Sequence, residues 1–259
     1  MKITILTIFP EFFDRFLDNS IVKRAIAKGV VTFEIANIRD YSLDKNHRVD
    51  DHPIGGGAGL VMRLEPLVSC LRAHSNEKSH KIYLGPRGKS FTQKDAIRLS
   101  RMEDLVLVCG HYEGVDARFS SYVDEELSIG DFILTGGEIP AMAIADSVTR
   151  LLKGAISEDS TKEESFDDDL LEYDQYTYPL EFEGKRIPEI LFCGNHEVVS
   201  SYRHRESVIL TYEKRRDLFD RRRYSKKDYE ILMSYLEGKK EDKKEKEALE
   251  KGKKFLPKS

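Results

Sequence analysis

Leu105-Val-Leu-Val-Cys109 is apolar without interruption and runs directly into Gly110-His-Tyr-Glu-Gly114. A strand with one wet face alternates apolar and polar residues, whereas an unbroken apolar run suits a strand covered on both faces. That is the central position of a parallel sheet with helices on each side. The pattern recurs. Lys81-Ile-Tyr-Leu84 leads into Gly85-Pro-Arg-Gly88, and a third apolar run leads into the glycines of 130–137. Ligands of open parallel sheets lie beyond the carboxyl ends of the strands, so these three loops are predicted to gather around one site.

The flanking segments fit the same α/β class. Residues 2–9 alternate and are rich in Ile, which predicts a first strand, and Pro10 opens a helix with Phe12, Phe13, Phe16 and Leu17 on one face. A Rossmann-type site is disfavoured, because Ile8-Phe-Pro-Glu-Phe12 lacks the Gly-x-Gly turn such a site needs after its first strand. Asn19-Ser20 caps a second helix that ends at Gly29, 31–38 alternates like a strand, and 65–74 reads as a helix. Four glycines crowd Asp50-Asp-His-Pro-Ile-Gly-Gly-Gly-Ala-Gly59, either to let backbone approach a flat ligand or simply as a flexible loop. Ser90-Phe-Thr-Gln93 has the spacing of a capping box.

The Gly136-Gly137 turn then precedes a helix that Pro140 is expected to open, with apolar residues at 141, 144, 145, 148, 151 and 152 as its packing stripe. Arg150 lies off that stripe, where a pair with Asp146 one turn earlier is its ordinary role.

Charge is uneven along the 259 residues. The overall net of −4 hides a net of −8 over 158–174 and a net of +6 over 203–227, and the second of these can track phosphates. The boundaries expected are a ligand-binding domain over 1–157, a flexible linker over 158–174, a helical basic domain over 175–236 and a Lys/Glu-rich tail over 237–259. Cys70, Cys109 and Cys193 are odd in number and far apart, which supports neither a disulfide framework nor a paired zinc motif. The seven histidines are scattered, so no metal ligands are assigned. No apolar stretch is long enough to span a bilayer and no signal peptide is seen, so a cytoplasmic protein without membrane association is expected.

Five segments read together carry more than any one loop. They are Asp51-His-Pro-Ile-Gly-Gly-Gly-Ala-Gly-Leu-Val-Met62, Gly110-His-Tyr-Glu-Gly-Val-Asp-Ala-Arg118, Ser128-Ile-Gly-Asp-Phe-Ile-Leu-Thr-Gly-Gly-Glu-Ile-Pro-Ala-Met142, Ser147-Val-Thr-Arg150 and Gly194-Asn-His196. In this order, over about residues 1–225, the chain resembles the bacterial tRNA (guanine-N1)-methyltransferases of the knotted SPOUT superfamily.

The resemblance implies an α/β fold whose parallel sheet carries a deep trefoil knot, with a small, mainly helical C-terminal domain. It also implies a homodimer with active sites at the subunit interface, S-adenosylmethionine as methyl donor, and tRNA as partner. The target would be ring nitrogen 1 of the guanosine just 3′ of the anticodon. Tyr83, Leu84, Gly110, Glu113, Ile129, Gly130, Asp131, Phe132, Ile133, Leu134, Gly136 and Gly137 would surround the donor. Whether magnesium assists is left open.

Ring nitrogen 1 of guanine holds its proton at neutral pH, so attack requires a carboxylate to remove it and a cation near oxygen 6 to take the charge. Arg150 matches the family's arginine for the second task. For the first, Glu164 stands where the family usually has aspartate, with Asp168 and Glu172 as alternatives. Other departures include His111 for an arginine, Gly85 for a serine and Tyr178 for an arginine. Two competing functions remain: an RNA-binding protein of the same fold with weak or lost turnover, and a knotted methyltransferase acting on ribose or rRNA.

Overall fold

A computed structural model of the chain describes residues 1–157, 165–166, 169–238 and 243–252. Contacts divide it into two compact units, Met1–Thr161 and Lys162–Ser259. In the first, strands β1 (Lys2–Thr7), β2 (Thr32–Asn37), β5 (His80–Ser90), β6 (Asp104–Cys109) and β7 (Glu125–Ser128) form one parallel sheet in the order β2-β1-β6-β5-β7. The short strands β3 (Asp50–Asp51) and β4 (Val61–Met62) pair antiparallel across the glycine-rich loop. Helices α1 (Asp14–Leu17), α2 (Ser20–Ala27), α3 (Leu64–His74), α4 (Gln93–Leu99) and α5 (Glu138–Thr149) complete the unit.

Every residue of β6 is buried. Leu105, Leu107 and Cys109 face one cluster with Phe13, Ala25, Leu99, Ala141, Ile144, Ala145 and Val148, so α2, α4 and α5 cover that side. Val106 and Val108 face a second cluster with Met62, Leu67, Val68, Leu71 and Phe119, where α3 covers the other. Hence the unbroken apolar run: both faces of β6 are inside. Leu107 lies in register between Ile5 of β1 and Ile82 of β5, all three fully buried. Leu107→Ala is expected to cost about 2–5 kcal/mol, read as a lower urea midpoint with an unchanged slope.

Two expected helix starts move. The capping box is Thr92 with Asp95, because Ser90 is held in the ladder opposite Ser128 and cannot turn back to cap. Helix α5 begins at Glu138, so Pro140 is its third residue; the first intrahelical bond is Ala141 N–H to Gly137 O, and the missing proline N–H still costs nothing. The segment expected as a third apolar strand also divides: β7 stops at Ser128, and 129–137 follows as irregular chain.

The second unit holds a small hairpin, β8 (Glu181–Phe182) with β9 (Lys185–Arg186), and helices α6 (His196–Lys214), α7 (Arg216–Arg221), α8 (Lys226–Leu236) and α9 (Lys243–Gly252). Asn195 caps α6 through bonds from the Glu197 and Val198 amides. Ser225 and Asp228 form a capping box on α8, and the buried Asp228 also meets His204 at 2.6 Å. Its burial acts to raise the carboxyl, but the Ser225 amide and His204 outweigh that and hold it below the usual carboxylate range. The Lys/Glu-rich end, expected as a frayed helix or tail, contributes α9 to this unit. Glu245 and Ala248 are buried, and Arg205 Nη1 donates to Glu245 Oε2 at 2.8 Å.

Candidate active site

The bulged middle of β5, where its register with β7 shifts between Leu84 and Lys89, and the carboxyl ends of β6 and β7 open onto a cavity of about 350 Å³, within the size range of small-molecule sites. Three segments wall it: 83–86, 110–114 and 127–137, with Pro140 at the margin. Gly137 N–H donates to Gly110 O at 2.8 Å, and Gly136 pairs with His111. The chain after β7 therefore returns past β5 to the end of β6.

Glycine at 110 is a packing requirement. A Cβ there would stand 2.7 Å from the Tyr83 hydroxyl, and that ring is itself fixed edge-on against Phe119. Tyr83 is buried, and burial, followed by the nearby Glu126, pushes its phenol up to about 12, so it stays a neutral donor at physiological pH. The Cys109 thiol behind it is pushed up by burial and then by Glu138, which makes it an inert core residue. The 50–62 hairpin is tied to the same wall: Glu113 N–H donates to Leu60 O, and Met62 N–H to Gly114 O.

Of the twelve residues expected around the donor, eleven line this cavity: Tyr83, Leu84, Gly110, Glu113, Ile129, Gly130, Phe132, Ile133, Leu134, Gly136 and Gly137. Asp131 does not; it is exposed, and its neighbours on both sides form the lining instead. Gly85, Pro86, His111, Tyr112, Ser128 and Thr135 also line the cavity. The signal for them was membership of the same three loops. Phe132 and Ile133 are 55% and 82% exposed, an apolar edge uncovered at the rim.

Arg150 caps the C-terminal end of α5, the helix whose first turn follows the Gly136-Gly137 wall, and its side chain is half-buried. Glu164 and Asp168 lie outside the described residues. Glu172 is half-buried in the second unit, where its N–H donates to Ser165 Oγ and its Oε1 accepts from Gln175 Nε2 at 2.6 Å. Among the described residues, no group of three or more His, Cys, Asp or Glu could hold a metal ion, and no helix is long and apolar enough to cross a membrane.

The basic stretch of the second unit is less uniform than its sequence. Arg222 packs by Tyr224 with its side chain 9% exposed, and Arg205 is taken up by Glu245. Lys214, Arg216, Arg221, Arg223, Lys226 and Lys227 are the exposed cations.

Fold and site together define a class: a parallel α/β domain with a cavity of small-molecule size among its loops, followed by a helical unit that carries exposed cations. The family described as tRNA (Guanine-1)-methyltransferase TrmD matches residues 1–221, and the chain belongs to that family. A tRNA (guanine-N(1)-)-methyltransferase of Clostridium perfringens (strain SM101 / Type A) is 49% identical over 236 residues, 90% of this chain and 100% of that protein. One of Clostridium botulinum (strain Eklund 17B / Type B) is 50% identical over 234 residues, 90% of this chain and 98% of that protein. One of Clostridium acetobutylicum is 47% identical over 234 residues, covering 90% and 96%.

Proposed function

We propose that this protein methylates ring nitrogen 1 of the guanosine immediately 3′ of the anticodon in tRNA, with S-adenosylmethionine as donor. Family membership over residues 1–221 carries the reaction type, and the convergence of eleven expected donor residues on one cavity supports the donor site. The cavity suits a compact, bent ligand: aliphatic and aromatic groups from Leu84, Ile129, Phe132 and Leu134 line it beside the backbone of Gly110, Gly136 and Gly137. When bound, S-adenosylmethionine supplies an electrophilic methyl carbon.

The chain's own residues must activate the acceptor. A carboxylate takes the proton from ring nitrogen 1, with Glu164 assigned and Asp168 and Glu172 as alternatives. Arg150 stabilises the charge that spreads to oxygen 6, so the nitrogen pair becomes available to attack. The exposed cations of α6 to α8 bind the anticodon stem through its phosphates.

The domains act as 1–157 for the donor and 175–236 for tRNA; of the expected linker, 158–164 and 167–168 lie outside the described residues while Leu170 is buried with Val208 and Phe219, and α9 of the 237–259 segment packs within the second unit. We further propose the trefoil knot, supported by the return of 129–137 past β5 to pair with His111 just beyond β6. A homodimer in the cytoplasm, with each active site at the subunit interface, completes the reading.

Incubation with labelled donor and unmodified tRNA transcript, with and without a magnesium chelator, tests it. Label at ring nitrogen 1 of that guanosine is expected; tight tRNA binding without transfer, or label on ribose, overturns it. Removing Arg221 and Arg223 together is expected to flatten the log-log salt dependence of tRNA binding by roughly two units, about one per lost phosphate contact. Arg222 is left in place because it is packed in the fold.

A further inference from the structure

His111 lines the donor cavity, yet its Nδ1 is buried and, among the described residues, has no hydrogen-bond partner. It lies 3.9 Å from Glu138 Oε2. Glu138 is 4% exposed, and its Oε1 accepts from Thr7 Oγ1 at 2.8 Å. Gly136 is wedged between the two groups: a Cβ there would stand 2.3 Å from Glu138 Oε2 and 2.4 Å from His111 Nδ1. Its backbone also pairs with that of His111. Imidazole, carboxylate and turn thus form one joint where the 110–114 wall meets the 129–137 wall.

Glu138 Oε2 is the carboxyl oxygen that faces Nδ1. Phe9 packs against the imidazole with ring centres 5.0 Å apart, and Tyr112 does so at the same distance. Arg39 Nη2 donates to the Tyr112 hydroxyl at 3.4 Å. Tyr83 and Cys109 are held neutral by burial. A bare Nδ1 lone pair facing a carboxylate sets two acceptors against each other, whereas a proton on Nδ1, in the neutral Nδ1–H tautomer or in the cationic ring, donates to it.

We propose that His111 is a positioning residue of the donor pocket: donating from Nδ1, it pairs with Glu138 across Gly136 and holds the two loops in the donor-binding arrangement. This rests on the donor reading of the cavity. The pair needs both partners, so removing the Nδ1 donor or the Glu138 acceptor lowers donor affinity by the same route.

Calorimetric titration of the full-length protein with S-adenosylmethionine, in single and double variants, tests it. His111→Phe, which keeps a ring beside Phe9 and Tyr112, and Glu138→Ala are each expected to raise Kd roughly five- to tenfold, and the double variant no more than either alone. Glu138→Gln, which keeps an acceptor, and His111→Arg, which keeps a donor, should each recover much of the loss. Wild-type affinity in His111→Phe, or losses that add in the double variant, overturn the inference. Failure of the donor to bind the wild type overturns the reading of the cavity and the inference with it, so the two failures are distinguishable.

Discussion

Arg150→Ala is expected to lower turnover of methyl transfer by about a hundred- to a thousandfold, the usual effect of removing one preorganised group that stabilises developing charge. Donor affinity should change little, because Arg150 sits at the far end of α5 from the Gly136-Gly137 wall and does not line the cavity. Single-turnover rates at saturating tRNA, beside donor titrations, separate the two effects. Loss of donor binding equal to the loss of rate would assign Arg150 to the fold of α5. Arg150→Lys keeps the charge but not the planar fork, so a partial rescue is expected.

Glu164→Gln is expected to reduce the rate by about a hundred- to ten-thousandfold, the range typical of a general base. The substitution removes the proton acceptor and keeps the size of the side chain. Its rate should also lose the rise with pH that a titrating base confers, which a purely positional defect would leave in place. Asp168→Asn and Glu172→Gln are the matched controls. If Glu164→Gln keeps most of its activity and Asp168→Asn does not, the base is Asp168. Glutamate adds a methylene relative to aspartate, and a displacement of about 1 Å can cost on the order of a hundredfold. A Glu164→Asp variant therefore tests whether the longer side chain limits this enzyme.

Much of the site was legible because it is made of local patterns. An apolar run followed by glycines occurs three times, and each of those loops reaches the cavity. Glycine marked the places where backbone comes close, as at Gly110 against Tyr83. Asp131 was carried into the donor set by its position within the loop, although it is exposed and outside the lining. Neighbours in an irregular segment need not share a wall. The cationic stretch was legible as a sum of charges but not as a surface, since burial of Arg222 and the pairing of Arg205 with Glu245 depend on packing within the second unit.

Sequence alone determined the α/β class, the loops 110–114 and 130–137 and the family, because hydrophobic period, turn residues and motif order are local properties of the chain; 85–88, expected as a loop, lies within β5, where the ladder with β7 shifts register. Tertiary structure alone decided that the capping box is Thr92 with Asp95, that α5 starts at Glu138, and that His111 meets Glu138 across Gly136. Each of these depends on which strand lies beside which, and in what register. Thr7 and Glu138 are 131 residues apart yet share a hydrogen bond because β1 and the start of α5 meet behind the cavity. Periodicity carries no information about such pairs; the register of the packed sheet sets them.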